Sequence, residues 1–556
     1  MKFENLLVEV GGFGWHQAIV VLLLVIPRLT IPFNFLLPNF IGAVPSHHCD
    51  ISILESEWGA AAENLTREQW LNVSIPRQED GQLSSCEMFL EPQFQLLGNV
   101  SLHNTTTTTS DLPTVKCQKG WVYDNSSFSS TMATELNLVC QRKSMNKATA
   151  TIFFIGVMVG AAFFGSMSDR FGRKRMLLCA YLLGITFGMA SAFTHDFVTF
   201  AATRFLTGLG ISGISLISIV LCVEWVDIDH RTLVGVMISL DWTTGTVLLP
   251  GIAYLVGEWR YLVVTVTSPL VLATITWWWL PESARWLIAN GRLDEAHYYL
   301  TRCARANGRA QVMTDMKPHA LSKVIIAESS GGRKYSYLDL LRTPKLRRIA
   351  MVTATVWFSV AFTYYGISLN ITGFGLNIYL TQLIYGAIEV PAKLLIYVCL
   401  DRIGRRLSLV STFLATGTCL AVNVFLPSRL TLARTAMAIL GKGLSESSFT
   451  CIFLYTTELY PTVVRQNGLG FSSFMARIGV SLAPLMGLLE DVWGPLPGLL
   501  FCAVAIAAGL AALLLPETHN VRLPETIEDV EQTRRWSVAS TDEHWKEAEA
   551  EAASGK

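Results

Sequence analysis

The 556-residue chain is 51% hydrophobic and 15% charged, and its 43 basic and 43 acidic residues cancel. A soluble fold of that length has no way to cover so much apolar surface, so the composition requires a bilayer as solvent. The basic residues are scattered and balanced, so nothing points to a nucleic-acid partner and none is expected.

In chain order, residues 1–15 contain Glu4 and Glu9 but neither a basic segment nor a small-residue cleavage site, so the first apolar run is expected to stay as a span. An apolar helix needs about 20 residues to cross a bilayer. Twelve such runs are expected at 16–40, 148–168, 177–195, 199–223, 232–256, 261–280, 349–369, 377–400, 408–426, 432–456, 466–488 and 496–515. The sequence divides into a terminus 1–15, a six-helix half 16–280 holding the loop 41–147, a linker 281–348, a second half 349–515 and a tail 516–556. The fold class this predicts is an all-α membrane protein of two pseudo-symmetric six-helix halves.

The loop 41–147 is polar and carries the acceptor triplet Asn-x-Ser/Thr at Asn64, Asn72, Asn99, Asn104 and Asn125, which reads as an extracellular, glycosylated segment. It also holds Cys49, Cys86, Cys117 and Cys140, an even set without zinc spacing. Two disulfides are expected, with three connectivities open. After the second run, Arg170, Arg173, Lys174 and Arg175 mark a cytoplasmic turn, which places the glycosylated loop outside. The linker, with thirteen Lys/Arg against six Asp/Glu, and both termini then lie inside. The acidic tail, with Glu547, Glu549 and Glu551, reads as solvated and partly disordered.

The pattern Asp-Arg-x-Gly-Arg-Lys/Arg occurs at 169–174 and again at 401–406. At nearly the same offset, Glu224 with Arg231 recurs as Glu458 with Arg465, and Pro281-Glu282-Ser283 recurs as Pro516-Glu517-Thr518. The chain is thus duplicated. Asp169, Arg170, Glu224 and Arg231 in one half, and Asp401, Arg402, Glu458 and Arg465 in the other, can form two charge networks. They read either as a cytoplasmic gate or as permanent structural salt bridges.

Gly-x-Gly-x-x-Gly at 208–213 lies inside an apolar helix rather than after a strand, so it reads as close helix packing and not as a dinucleotide site. No Walker A, His-Glu-x-x-His or metal-spaced cluster is present, which predicts no enzyme, cofactor or metal. Ionisable residues inside spans are costly and point to a substrate path. Arg204 and Arg434 near span ends are set aside as snorkelling. Five groups remain: Arg28, Asp241, Glu389 with Lys393, Lys442 with Glu446, and Arg477. The two i, i+4 pairs can neutralise themselves. Arg477 has no acid in its own span, which leaves an organic carboxylate or sulfate, or an ion pair to Asp241 or another helix, as its partner. Trp242, Trp357, Phe358, Tyr364, Tyr365, Tyr385, Phe449, Phe453 and Tyr455 are either a pocket wall or helix packing.

The repeated motif, Pro281-Glu282-Ser283-Ala284-Arg285-Trp286 and Glu458-Leu459-Tyr460-Pro461-Thr462 resemble the major facilitator superfamily. Ala43-Val44-Pro45-Ser46-His47-His48-Cys49 and Gly120-Trp121-Val122-Tyr123-Asp124 resemble solute carrier family 22. Phe128-Ser129-Ser130-Thr131, Gly375-Leu376-Asn377-Ile378-Tyr379 and Val390-Pro391-Ala392-Lys393 resemble its organic anion branch, with a liver-type rather than renal-type first span around Pro27, Arg28 and Pro32. The resemblance implies basic substrate contacts at Lys393 and Arg477, where organic cation transporters carry an acid at the Arg477 position. It implies pocket positions at Asn34, Tyr364, Tyr365, Phe449 and Phe453, and Trp242 stands where Tyr is expected. It also implies sodium-independent uptake of small organic anions across a plasma membrane, basolateral in epithelia, against a counter-anion such as a dicarboxylate. A carrier of cations or zwitterions, a facilitative uniporter, and a receptor built on a transporter fold are the rival readings; oligomeric state is left open.

Overall fold

The computed structural model describes residues 3–58, 65–78, 81–98, 112–126, 128–227, 229–314, 316, 318–321, 336–370, 377–427, 429–461, 463–519, 521, 524 and 526–532. Helices occupy all twelve expected stretches. They are α1 (Trp15–Ile41), α2 (Cys140–Phe171), α3 (Arg173–Ser191), α4 (Phe197–Glu224), α5 (Arg231–Val256) and α6 (Trp259–Trp279) in the first half. The second half holds α7 (Pro344–Ser368), α8 (Ile378–Ile403), α9 (Arg405–Phe425), α10 (Thr431–Leu459), α11 (Arg465–Asp491) and α12 (Leu496–Ala512). Among the described residues nine helical segments are long and apolar enough to cross a membrane, and α12 is a shorter apolar helix. The other two are less apolar because of charge: α3 opens on Arg173, Lys174 and Arg175, and α10 carries Arg434, Lys442, Glu446 and Glu458.

Proline explains the breaks. A prolyl nitrogen carries no N–H and its ring crowds the preceding turn. α1 is accordingly interrupted at Leu29, three residues before Pro32, and again at Leu37 before Pro38. α8 is interrupted at Ile388, three residues before Pro391, and its second piece starts at Glu389. Glycine explains the closest contacts. A Cβ on Gly156 would sit 2.1 Å from the Phe205 carbonyl oxygen, and one on Gly208 would sit 2.3 Å from that of Phe153, so α2 and α4 touch backbone to backbone. Gly245 and Gly479, at matching places in the two halves, repeat the device: the first meets Pro32 of α1 at 2.3 Å and the second meets the Phe358 carbonyl oxygen of α7 at 2.5 Å.

The duplication reappears as a matched corner in each half. The chain leaves α2 through Gly172 at φ 101° and leaves α8 through Gly404 at φ 96°, conformations that favour glycine. Glu282 then accepts from the backbone N–H groups of Arg173 and Lys174 at 3.0 and 3.1 Å, and Glu517 accepts from those of Arg405 and Arg406 at 2.9 and 3.0 Å. Each carboxylate thereby satisfies the free donors and the positive end of the next helix. Burial raises the Glu282 carboxyl above its ordinary range, against the opposing pull of those N–H groups and of the Arg173 charge.

The linker is not a loose tether over its described part. Its helices Ala284–Ala289 and Leu293–Ala306 place Leu287, Ile288, Leu300 and Cys303 in one core with Phe3, Leu6 and Leu7 of the N-terminal segment and Leu24 and Leu177 of the first half. Asn307 ties them to the N-terminal segment through the Val10 carbonyl and Gln17. The tail also departs from expectation before residue 533: Glu531 accepts from the backbone N–H groups of Lys345 and Leu346, and Val530 joins the second-half core. Glu547, Glu549 and Glu551 lie outside the described residues.

The loop forms a small domain of two antiparallel ribbons, His47–Cys49 with Trp121–Tyr123 and Glu87–Phe89 with Thr114–Lys116. Ile51, Trp70, Val73 and Ile75 make its core. Disulfides join Cys49 to Cys117 and Cys86 to Cys140, which selects one of the three open connectivities. Of the asparagines expected to be glycosylated, Asn125 is exposed and Asn72 accepts from Arg77 at 2.7 Å, while Asn64, Asn99 and Asn104 lie outside the described residues.

Non-reducing peptide mapping is expected to recover the 49–117 and 86–140 cross-links. Removing either one should lower the yield of mature surface protein, in line with the ~2–5 kcal/mol a native bridge contributes to a small secreted domain. Recovery of 49–86 or free thiols would contradict the arrangement. For the corner, Gly172→Ala forces a left-handed alanine and puts its Cβ 2.6 Å from the Glu282 carboxylate. The expected loss is about 1–3 kcal/mol, read as a lower Tm of detergent-purified protein; an unchanged Tm would remove the corner from the stabilising features.

Candidate functional site

A charge in hydrocarbon is costly unless protein groups neutralise it, and most ionisable side chains of the spans are paired. Arg28 of α1 donates to Asp241 of α5 at 2.8 Å, so Asp241 is committed and does not serve Arg477. The two expected i, i+4 pairs are exchanged between helices. Lys442 of α10 bonds Glu389 of α8 at 2.9 Å, and Lys393 of α8 lies 3.2 Å from Glu446 of α10. Lys393 is 3.9 Å from Glu389 on its own helix. Tyr364 of α7 donates to Glu389 at 2.6 Å, and its ring lies 3.3 Å from the Lys442 ammonium.

This cluster crosses between the halves. Thr243 of α5 donates to Glu389 at 3.2 Å and accepts from Lys393 at 2.7 Å, while Lys393 also donates to the Ser239 carbonyl. Trp242 donates to the Tyr364 hydroxyl at 3.2 Å. Towards the loop side, Asn39 donates to the Ser368 carbonyl and to Gln382, Phe40 stacks on Tyr379 with centroids 5.6 Å apart, and Lys143 pairs with Asp491 at 2.7 Å.

Aromatic rings form a continuous wall beside the cluster. Phe35 of α1 contacts Phe154 of α2, Trp242 and Tyr365 at 5.3, 5.7 and 5.9 Å. Tyr364 continues to Phe449 at 5.6 Å, and Trp357 joins Phe449 and Phe453 at 5.8 and 6.2 Å. Phe453 is 59% exposed and shares a helical face with Lys442, Glu446 and Phe449, spaced at i, i+4, i+7 and i+11. Phe35 and Phe154 are additions to the expected pocket residues; an adjacent aromatic pair, Phe153-Phe154, in the second span is the signal the sequence offers for them. Tyr385 sits apart, in a core cluster with Ile367 and Ala438.

Arg477 is half-buried, donates to the Ser473 hydroxyl at 2.5 Å and lies within electrostatic reach of Tyr365. Among the described residues no carboxylate stands within ion-pair distance of it. Asn34 is placed differently from the expectation of a pocket contact: its side-chain and backbone oxygens accept from Arg204 at 3.0 and 3.3 Å. Arg204 does not snorkel. It is 2% exposed, with its guanidinium 4.6 Å from the Phe153 centroid.

The end networks form inside each half, and with different arginines from those expected. Arg173 bonds Glu224 at 3.2 Å and Asp169 at 2.9 Å, and Arg405 bonds Glu458 at 3.1 Å. Arg170, Arg231, Asp401 and Arg402 make no ion pair among the described residues. Arg465 donates to the Tyr460 carbonyl at 3.2 Å. The glycine corner is the physical reason: it starts a new helix at Arg173 and Arg405, which turns those side chains inward and leaves Arg170 and Arg402 exposed.

A cavity of about 1410 Å³ lies on the loop side, lined by Asn39, Lys143, Lys147, Asn370, Arg434 and Phe501 among others. Its described lining does not include Lys393, Arg477 or Phe449, so it lies under the loop domain and apart from those residues.

The sequence profile of the sugar (and other) transporter family matches residues 102–529. Solute carrier family 22 member 7 of Bos taurus is 47% identical over 96% of each chain, and the Homo sapiens protein of that name is 46% identical over the same shares. Solute carrier family 22 member 6-B of Xenopus laevis is 38% identical over 96% of this chain and 95% of its own. Among solved structures, the inward open conformation of the xylose transporter XylE from E. coli aligns at TM-score 0.58 and 15% identity, covering 93% of this chain and 99% of that one, a likeness of fold. The chain therefore belongs to solute carrier family 22, in the organic anion branch its motifs resemble, and is a membrane transporter of the major facilitator fold and not an enzyme.

Proposed function

We propose that this protein carries amphipathic organic anions across the plasma membrane by alternating access between two six-helix halves, twelve spans in all, with both termini cytoplasmic and the loop domain outside. The observation that carries the reading is Arg477: a guanidinium midway along α11, without a carboxylate partner among the described residues and within electrostatic reach of Tyr365, whose ring contacts Phe35 and Tyr364. A planar guanidinium suits a carboxylate or sulfate by two parallel hydrogen bonds, and aromatic faces suit the apolar remainder. The cation or zwitterion alternative draws on Asp241, Glu389 and Glu446, and each of these is neutralised, by Arg28, Lys442 and Lys393 respectively.

The contacts that join the halves towards the loop side support a state closed to the exterior. The Arg173–Glu224 and Arg405–Glu458 networks then act as braces of the cytoplasmic corner of each half rather than as bolts between the halves. A monovalent anion entering a cell with a negative interior works against about 2.3 kcal/mol per 100 mV, so accumulation calls for an outgoing anion.

Arg477→Ala is expected to abolish uptake of labelled organic anions at near-normal surface expression, with Arg477→Lys restoring only part of it. Wild-type uptake by the alanine variant would exclude the residue from the site. Influx into vesicles clamped at zero potential, without sodium, is expected to rise when the lumen is preloaded with a mono- or dicarboxylate. Influx that ignores every internal anion and follows imposed voltage would establish a uniporter instead.

A further inference from the structure

The central cluster contains two ammonium groups and two carboxylates, Lys393, Lys442, Glu389 and Glu446, and each side chain is at most 10% exposed. Its charges sum to zero away from water. Lys393 has no donor to spare. An ammonium has three N–H groups, and here they face Thr243 at 2.7 Å, the Ser239 carbonyl at 3.3 Å and Glu446 at 3.2 Å. A substrate carboxylate reaches Lys393 only by displacing Glu446. Lys442 is committed to Glu389 and covered by the Tyr364 ring. Arg28 is committed to Asp241, and Arg204 is sealed between Asn34 and Phe153.

We infer that Glu446 is a tethered carboxylate that occupies Lys393 in place of substrate and holds the site at a net charge of +1, supplied by Arg477, so that monovalent organic anions are selected over dianions. The inference rests on reading Arg477 as the anion's partner. Lys393 becomes a positioning residue: it holds Glu446 and, through Thr243, the opposite half. A dianion would bring a second carboxylate to a site where Lys393, Lys442 and Arg28 are each already paired with a protein carboxylate. The same arithmetic applies to the outgoing anion, and it narrows the dicarboxylate implied by family resemblance to a monocarboxylate.

The test compares uptake of labelled salicylate and labelled glutarate by cells expressing the wild type, Glu446→Gln and Glu446→Asp, each corrected for surface protein. The wild type and Glu446→Asp should favour salicylate. Glu446→Gln releases Lys393 and should raise the glutarate-to-salicylate ratio of kcat/KM by roughly tenfold, equivalent to about 1.4 kcal/mol. An unchanged ratio in a surface-expressed, transporting Glu446→Gln protein overturns the inference. A second measurement needs no variant: inhibition of wild-type salicylate uptake by glutarate and by its monoethyl ester, which differ by one charge. Stronger inhibition by the monoester supports the inference and stronger inhibition by glutarate overturns it. A wild type that carries neither labelled anion removes the Arg477 reading and this inference with it, an outcome distinct from a changed valence preference.

Discussion

The cost of an unneutralised charge in hydrocarbon governs how this molecule is put together. It explains why Arg28 meets Asp241 and why four ionisable side chains of α8 and α10 interlock. It explains why Arg204, which has no ion pair among the described residues, is wrapped by Asn34 and a phenylalanine ring instead. Breaking one partner out of a buried pair typically costs about 3–5 kcal/mol, so these contacts fix helix neighbours firmly. Against that background Arg477, with no carboxylate at ion-pair distance among the described residues, is the position on which the proposed anion site rests.

Organisation along the chain is legible from sequence because apolar runs, prolines and a duplicated motif are local signals. The near-constant offset between Asp169 and Asp401, Glu224 and Glu458, and Glu282 and Glu517 locates both corners without knowledge of any contact. What it does not reveal is which arginine of each motif turns inward. Asp169 to Arg170 and Asp169 to Arg173 look equally plausible on paper, and only the left-handed glycine between them decides. Disulfide connectivity is illegible for a related reason: spacing along a loop does not report which ribbons lie side by side.

The central site is legible in composition and not in pairing. Lys393 and Arg477 both stand out in the sequence as basic residues in spans, yet one is saturated by protein groups and the other is not. That difference depends on Glu446 and Thr243, which reach Lys393 from α10 and α5, two helices remote from it in the chain. Arg204 is misplaced by sequence reasoning because distance from the end of a span is a poor guide to burial between helices. Its surroundings come from α1 and α2, and lateral neighbours of a helix leave no trace in its own sequence.

The glycine contacts described for the helix pairs have a mechanical meaning. Where Gly156 and Gly208 bring α2 and α4 into backbone contact, and Gly479 does the same for α11 against α7, there is no side chain to slide or re-pack. Each couple is stiff, a girder instead of a bearing. Compliance then resides where a prolyl nitrogen leaves a rung out of the backbone ladder, at Pro32 and Pro38 in α1 and at Pro391 in α8. The last of these lies between Glu389 and Lys393, so bending at that joint is geared directly to the interlocked charges of α8 and α10.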